Sequence, residues 1–165
     1  MAVDLGDLIE SLRREVSQPG AEATTFPDSN DDIFFGHLQD GFWETVLDGV
    51  VSGYTEADGL VEPIEEGGED LGRELQQLVV IYAGMRIVRN QLLAMNSVFR
   101  AKAGPVEYET QKAASVLKAA YDSMVARRNY VLAVLSANGS VDDYYIDAVL
   151  QRDENLGYGG DYFWG

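Results

Sequence analysis

Apolar positions recur at helical spacing over most of the chain. Leu5, Leu8, Ile9, Leu12 and Val16 predict an amphipathic helix over 4–17, ended by Pro19-Gly20. Residues 18–30 read as loop. Asp28 or Ser29 can cap a second helix, whose first turn carries Asp31 and Asp32 against the helix dipole. Phe34, Leu38, Phe42, Trp43, Val46, Leu47 and Val50 then form a stripe that predicts a helix over 30–51. Residues 52–69, rich in glycine and acid, read as a loop of about 18 residues, a length that usually serves a function. A third helix is expected from near Asp70 to about Phe99. Its middle, Leu78 to Met85, is apolar on every face, as in a helix at the centre of its domain or assembly. Gly84 costs about 1 kcal/mol there, a cost understandable if another backbone packs closely against it. Gly104-Pro105 breaks the chain and Pro105 suits the start of a fourth helix, striped by Val116, Leu117, Ala120, Tyr121, Met124, Val131 and Leu135 and ended by Asn138-Gly139. The last two helices would each be about 45 Å long, and their short connection makes them antiparallel neighbours.

The expected fold is therefore all-α: a four-helix bundle over 1–141 with two long antiparallel central helices and a long acidic loop. An extended aromatic arm follows over 142–165. Within it, Asp143 suits the cap of a short helix over 144–151, while Tyr158, Tyr162, Phe163 and Trp164 lie in a glycine-rich stretch with no helical pattern. These four, with Tyr144 and Tyr145, need somewhere to bury, either back on the bundle or in a partner.

Charge adds a second pattern. Residues 1–70 hold 18 acids and two bases, residues 71–141 four acids and nine bases, and residues 142–165 six acids and one base. A basic middle between acidic ends can pair with the chain's own segments or with copies of itself. Arg86, Arg89, Arg127 and Arg128 are the candidates for contacts between subunits. A net charge of −16 argues against wrapping nucleic acid by phosphate neutralisation. It is compatible with DNA passing an acidic surface that repels it. The start, Met1-Ala2-Val3-Asp4, lacks the features of a signal peptide, and no apolar run approaches the roughly 18 residues needed to span a bilayer.

Candidate chemistry is sparse, and the expectation is a protein that is not an enzyme and carries no cofactor or metal. The chain has no cysteine and one histidine, His37, on an apolar stretch where a structural role is usual. One histidine cannot supply a di-iron bundle, and no glycine-flanked nucleophilic serine accompanies it. Asp28-Ser29-Asn30-Asp31-Asp32 superficially suggests a calcium loop, but Ile33 and Gln39 stand where that loop needs glycine and glutamate.

The stretch Leu75-Gln76-Gln77-Leu78-Val79-Val80-Ile81-Tyr82-Ala83-Gly84-Met85-Arg86-Ile87-Val88-Arg89-Asn90 continues as Phe99-Arg100-Ala101-Lys102-Ala103-Gly104-Pro105-Val106-Glu107-Tyr108-Glu109 and as Tyr144-Tyr145-Ile146-Asp147-Ala148-Val149. Together these resemble the head-completion proteins (head-to-tail connectors or adaptors) of siphophages, particularly those infecting actinobacteria. The resemblance spans essentially the whole chain and contains no mechanistic motif. It implies a virion protein of the neck, assembled in the host cytoplasm as a dodecameric ring beneath the portal. Such a ring extends the DNA channel without reading sequence, docks the stopper, tail terminator or tail tube proteins, and helps retain packaged DNA. It also implies that the C-terminal arm, with Tyr144, Tyr145, Tyr158, Tyr162, Phe163 and Trp164, reaches the portal. A ring of identical subunits needs one face to complement a different face of the same chain, which segregated charge provides.

Two readings of other classes compete. One is a helical scaffolding or regulatory module that binds a partner through its aromatic tail and forms no ring. The other is a metal-dependent hydrolase using Glu65, Glu66 or Asp70.

Overall fold

The apolar run from Leu78 to Met85 becomes the centre of the fold. The computed structural model describes residues 2–17, 31–99 and 106–139, together with 146, 149 and 150. Among them are four α-helices: α1 (Ile9–Val16), α2 (Asp31–Leu47), α3 (Arg73–Phe99) and α4 (Val106–Ala137). Three short strands accompany them, β1 (Val3–Asp4), β2 (Tyr54–Ala57) and β3 (Leu60–Pro63), so the chain is mostly helical with a small sheet. Helix α3 packs against α1, α2 and α4, which is why Leu78, Val79, Ile81 and Ala83 are all sealed from solvent. A helix surrounded on three sides has no polar face to present, and its sequence shows none.

The helix directions follow from cross-contacts. Gly84 faces Met124 and Tyr82 faces Arg128, so α3 and α4 run antiparallel as expected. At 27 and 32 residues they are about 40 and 48 Å long. Asp48 reaches Tyr82 while Glu44 and Asp40 reach Arg86, so α2 is also antiparallel to α3. Among the described glycines, the tightest approach to another backbone is at Gly41, between these two helices. A Cβ added at Gly41 would lie 2.8 Å from the Val79 carbonyl oxygen and 2.9 Å from the Ala83 nitrogen. The close approach expected at Gly84 is therefore found one helix away, because Gly84 meets only side chains: Glu15 Cγ and Met124 Sδ, each 3.4 Å from an added Cβ.

The structure corrects the reading of 52–69 as a loop. Its first half is a β-hairpin, Tyr54–Ala57 paired antiparallel with Leu60–Pro63 through Asp58-Gly59. Both turn residues have positive φ, 54° and 87°, the backbone of a type I′ turn that matches the natural twist of a hairpin. The N-terminal strand adds to the other edge of β3, giving the order β1-β3-β2 with Val3 opposite Val61. Hence the first helix starts later than expected. Asp4 caps a single 3-10 turn over Leu5–Leu8, its Oδ1 accepting from the Gly6 N–H at 2.7 Å, and α1 begins only at Ile9.

The hairpin sits on a second stripe of α2. The Phe35 ring fills the space under Gly59, where an added Cβ would lie 2.2 Å from the ring. One and two turns on, Gln39 and Trp43 both donate to the Glu56 carboxylate, at 2.8 and 3.1 Å. A third donor is the Gly59 N–H at 2.7 Å. Gly139, with φ 68°, ends α4 as Asn138-Gly139 foretold. Beyond it, Ile146, Val149 and Leu150 are helical, and the first two are buried in the same core. The bundle expected over 1–141 therefore takes its packing into the segment expected as arm.

Candidate functional site

The charge sorted along the chain is largely brought together within it. On α2, Asp40 and Glu44 stand one turn apart and grip Arg86 of α3, with Nη2–Oδ2 at 3.0 Å and Nη1–Oε1 at 2.8 Å. Arg127 of α4 pairs with Glu15 of α1, and Arg13 of α1 pairs with Asp31 and lies over the Phe34 ring. Each half-exposed pair contributes about 0–1 kcal/mol, so these contacts set which helix faces meet more than they set stability.

Arg128 is different: its side chain is 1% exposed. Its guanidinium lies 5.8 Å from the centre of the Tyr82 ring and donates to Asn129 Oδ1 from Nε and Nη2. The Tyr82 hydroxyl in turn donates to Asp48 Oδ2 at 2.7 Å. One line of contacts thus runs from α4 through α3 to the turn after α2. Of the four arginines expected to face other subunits, Arg86 and Arg127 are held by acids of this chain, Arg128 is interior, and Arg89 is exposed. The aromatic candidates Tyr144, Tyr145, Tyr158, Tyr162, Phe163 and Trp164 lie outside the described residues.

Two clefts are lined by described residues of the bundle. One, about 300 Å³, has His37 on its wall with Phe34, Ile87 and Asn90. Burial holds the His37 imidazole below its ordinary value; Asp40 opposes that shift and Arg86 adds to it. Its Nδ1 is buried without a hydrogen-bond partner among the described residues. Among the described residues, the cleft wall beside it carries Asn90 and Gln91 but no serine, threonine or cysteine. The other cleft, about 380 Å³, lies between α1, α3 and α4, and Arg14, Arg73 and Arg127 all line it. Among the described residues, only Glu15 brings a carboxylate to that wall, and it is already paired with Arg127. Sequence reasoning missed Arg14 and Arg73 because they sit about 60 residues apart and converge only when α1 packs on α3.

The acids of 62–70 stay outside. Glu65, Glu66, Glu69 and Asp70 are all exposed on the segment that leads from β3 to α3. Burial pushes the Tyr54 hydroxyl above its usual value, and the charges of Glu69 and Asp70 add to that, which places both on the hairpin side. Among the described residues no three His, Asp or Glu side chains converge as metal ligands, and no helix is long and apolar enough to cross a membrane.

No family model, curated protein or solved structure matches this chain.

Proposed function

We propose that this chain is a structural connector of a siphophage neck, a subunit of a ring that sits beneath the portal and joins the filled head to the tail. The supporting observation is the charge left over after the bundle has paired its own. Arg14, Arg73 and Arg89 are exposed and have no ion-pair partner among the described residues, while Glu65, Glu66 and Glu69 are exposed on the segment that leads from β3 to α3. A subunit that keeps unpaired charges of both signs on its surface suits a closed ring, in which each copy offers one sign to the other sign of the next. The long α3–α4 pair gives such a subunit the stiffness to hold a channel open. The acidic remainder of the surface repels DNA phosphates within about a Debye length, so DNA slides past without sticking.

In this reading the chain performs no catalysis, and its partners are its own copies, the portal, and the stopper or tail proteins. The aromatic segment 155–165 supplies the portal contact. Electron microscopy of the purified chain, alone and mixed with its portal protein, tests the reading. Rings on the portal support it; a small oligomer that ignores the portal refutes it and favours the scaffolding module. Deleting 155–165 should leave a folded bundle, by circular dichroism, that no longer joins heads to tails. Unfolding instead would assign those aromatics to the core of the chain itself.

A further inference from the structure

We infer that the cleft between α1, α3 and α4 is the receiving half of a head-to-tail contact, and that its occupant is the acidic 64–70 segment of a second copy of this chain. The inference deepens the ring reading and rests on it.

The cleft is basic in a protein whose net charge is −16. Arg14 and Arg73 line it with no carboxylate partner among the described residues, although the sequence holds 28 acids. Leaving two guanidiniums together without counter-charge is unfavourable, and an incoming carboxylate relieves it through paired N–H donors. The cleft also has an apolar floor, Leu8 and Val80, and amide donors and acceptors from Gln76 and Gln77. Its occupant should therefore carry carboxylates beside an apolar side chain.

The 64–70 segment has that composition. Ile64 is 66% exposed, an unusual position for an isoleucine, and Glu65 and Glu66 follow it directly. The turn is held open to solvent by the Gly68 N–H donating to the Glu65 carbonyl at 3.0 Å and by Gly67 at φ 83°. Within one chain the carboxylates of Glu65, Glu66 and Glu69 form no ion pair with the cleft arginines among the described residues. Segment and cleft are different groups of residues, so one copy's segment can enter the next copy's cleft and leave its own cleft for a third. In the complex Ile64 covers Leu8 and Val80, and Glu65 and Glu66 meet Arg14 and Arg73.

Neutralising one face at a time tests this. Two full-length variants, Arg14→Gln with Arg73→Gln and Glu65→Gln with Glu66→Gln, are followed by sedimentation velocity at low salt and by ring formation on the portal. Circular dichroism first establishes that both are folded; all four side chains are exposed. Each variant alone should associate at least about tenfold more weakly than the unaltered chain, in line with measured couplings of close charge pairs. Mixed together they should stop at a one-to-one pair, because only one intact cleft and one intact segment remain to meet. Added salt should dissolve that pair. If the unaltered chain assembles and both variants assemble equally well, the contact lies elsewhere and the ring reading stands. If only the arginine variant fails, the cleft takes another protein's acid and the second-copy assignment is overturned. If the unaltered chain neither self-associates nor forms rings on the portal, both proposals fall.

Discussion

Three helical glycines offer a controlled measure of where this bundle is tight. Replacing any of them with alanine gains about 1 kcal/mol of helix propensity, so differences among the three report space alone. At Gly36 nothing lies within 4 Å of an added Cβ, and Gly36→Ala should stabilise by up to about 1 kcal/mol. At Gly84 the neighbours are the Met124 thioether and the Glu15 stem, both 3.4 Å away and both able to shift. Gly84→Ala should therefore fall near neutral. At Gly41 the new atom would sit 2.8 Å from one backbone atom of α3 and 2.9 Å from another. Neither can rotate aside, so α2 must lift from α3 by several tenths of an ångström along a face that includes Phe34, Leu38 and Phe42. Overpacking of this kind costs about 1–3 kcal/mol, and the propensity gain offsets only part of it. The expected net loss is up to about 2 kcal/mol, or a fall in Tm of up to about 8 °C for a domain of this size. Urea unfolding followed by circular dichroism measures all three under one condition. A Gly41→Ala protein as stable as Gly84→Ala would refute the placement of the helix contact.

Other perturbations follow from particular contacts. Arg128→Ala should cost about 2–4 kcal/mol by opening a hole beside Tyr82, whereas Arg128→Met, which refills it without charge, should come within about 1 kcal/mol of the unaltered protein. Equal losses would mean that the cation itself is needed over the ring. Gly59→Ala puts a Cβ into the Phe35 ring at a positive φ, so amide exchange should quicken across 54–63 while the α3–α4 core keeps its protection. The His37 imidazole titrates below its unfolded value of 6.5, so the unfolded chain takes the proton first. Its contribution to stability is complete above pH 6.5 and is lost as pH falls towards the folded-state value, and His37→Gln should abolish that component of the pH profile.

Helices were legible because each depends on its own periodicity. The α3 run from Leu78 to Met85 and the Asn138-Gly139 stop needed no knowledge of neighbours. The sheet was harder for two reasons. Tyr54–Ala57 and Leu60–Pro63 are four residues each, each carries a Glu, glycines flank them, and only Val61 is fully buried, so composition reads as loop. The usable signal was Asp58-Gly59 between two short alternating runs, a type I′ hairpin signature. The partner strand at Val3–Asp4 had no signal at all, since two residues show no period. The leftover charge was illegible for a different reason. Counting acids and bases locates the basic middle of the chain, but which arginine remains unpaired depends on which acid the packing brings opposite. Arg86 found Asp40 and Glu44; Arg14 and Arg73 found none among the described residues.

The sheet order also dictates a sequence of folding events. Strand β3 lies between β1 and β2, yet β1 precedes β3 by more than 50 residues in the chain. The two strands of the hairpin close across two residues, within microseconds. Joining β1 to β3 instead closes a loop of about 55 residues that contains α1 and α2, at a chain-entropy cost on the order of 3–4 kcal/mol. The N-terminal segment must therefore wait, unpaired, until the hairpin has formed on α2 to receive it. Pulse-labelled hydrogen exchange should find the amides of 54–63 protected before that of Leu5, whose N–H donates to the Gly59 carbonyl at 2.8 Å. The start of the chain is then the last part of the sheet to settle, and a bulky group fused ahead of Val3 should slow that final step more than any other.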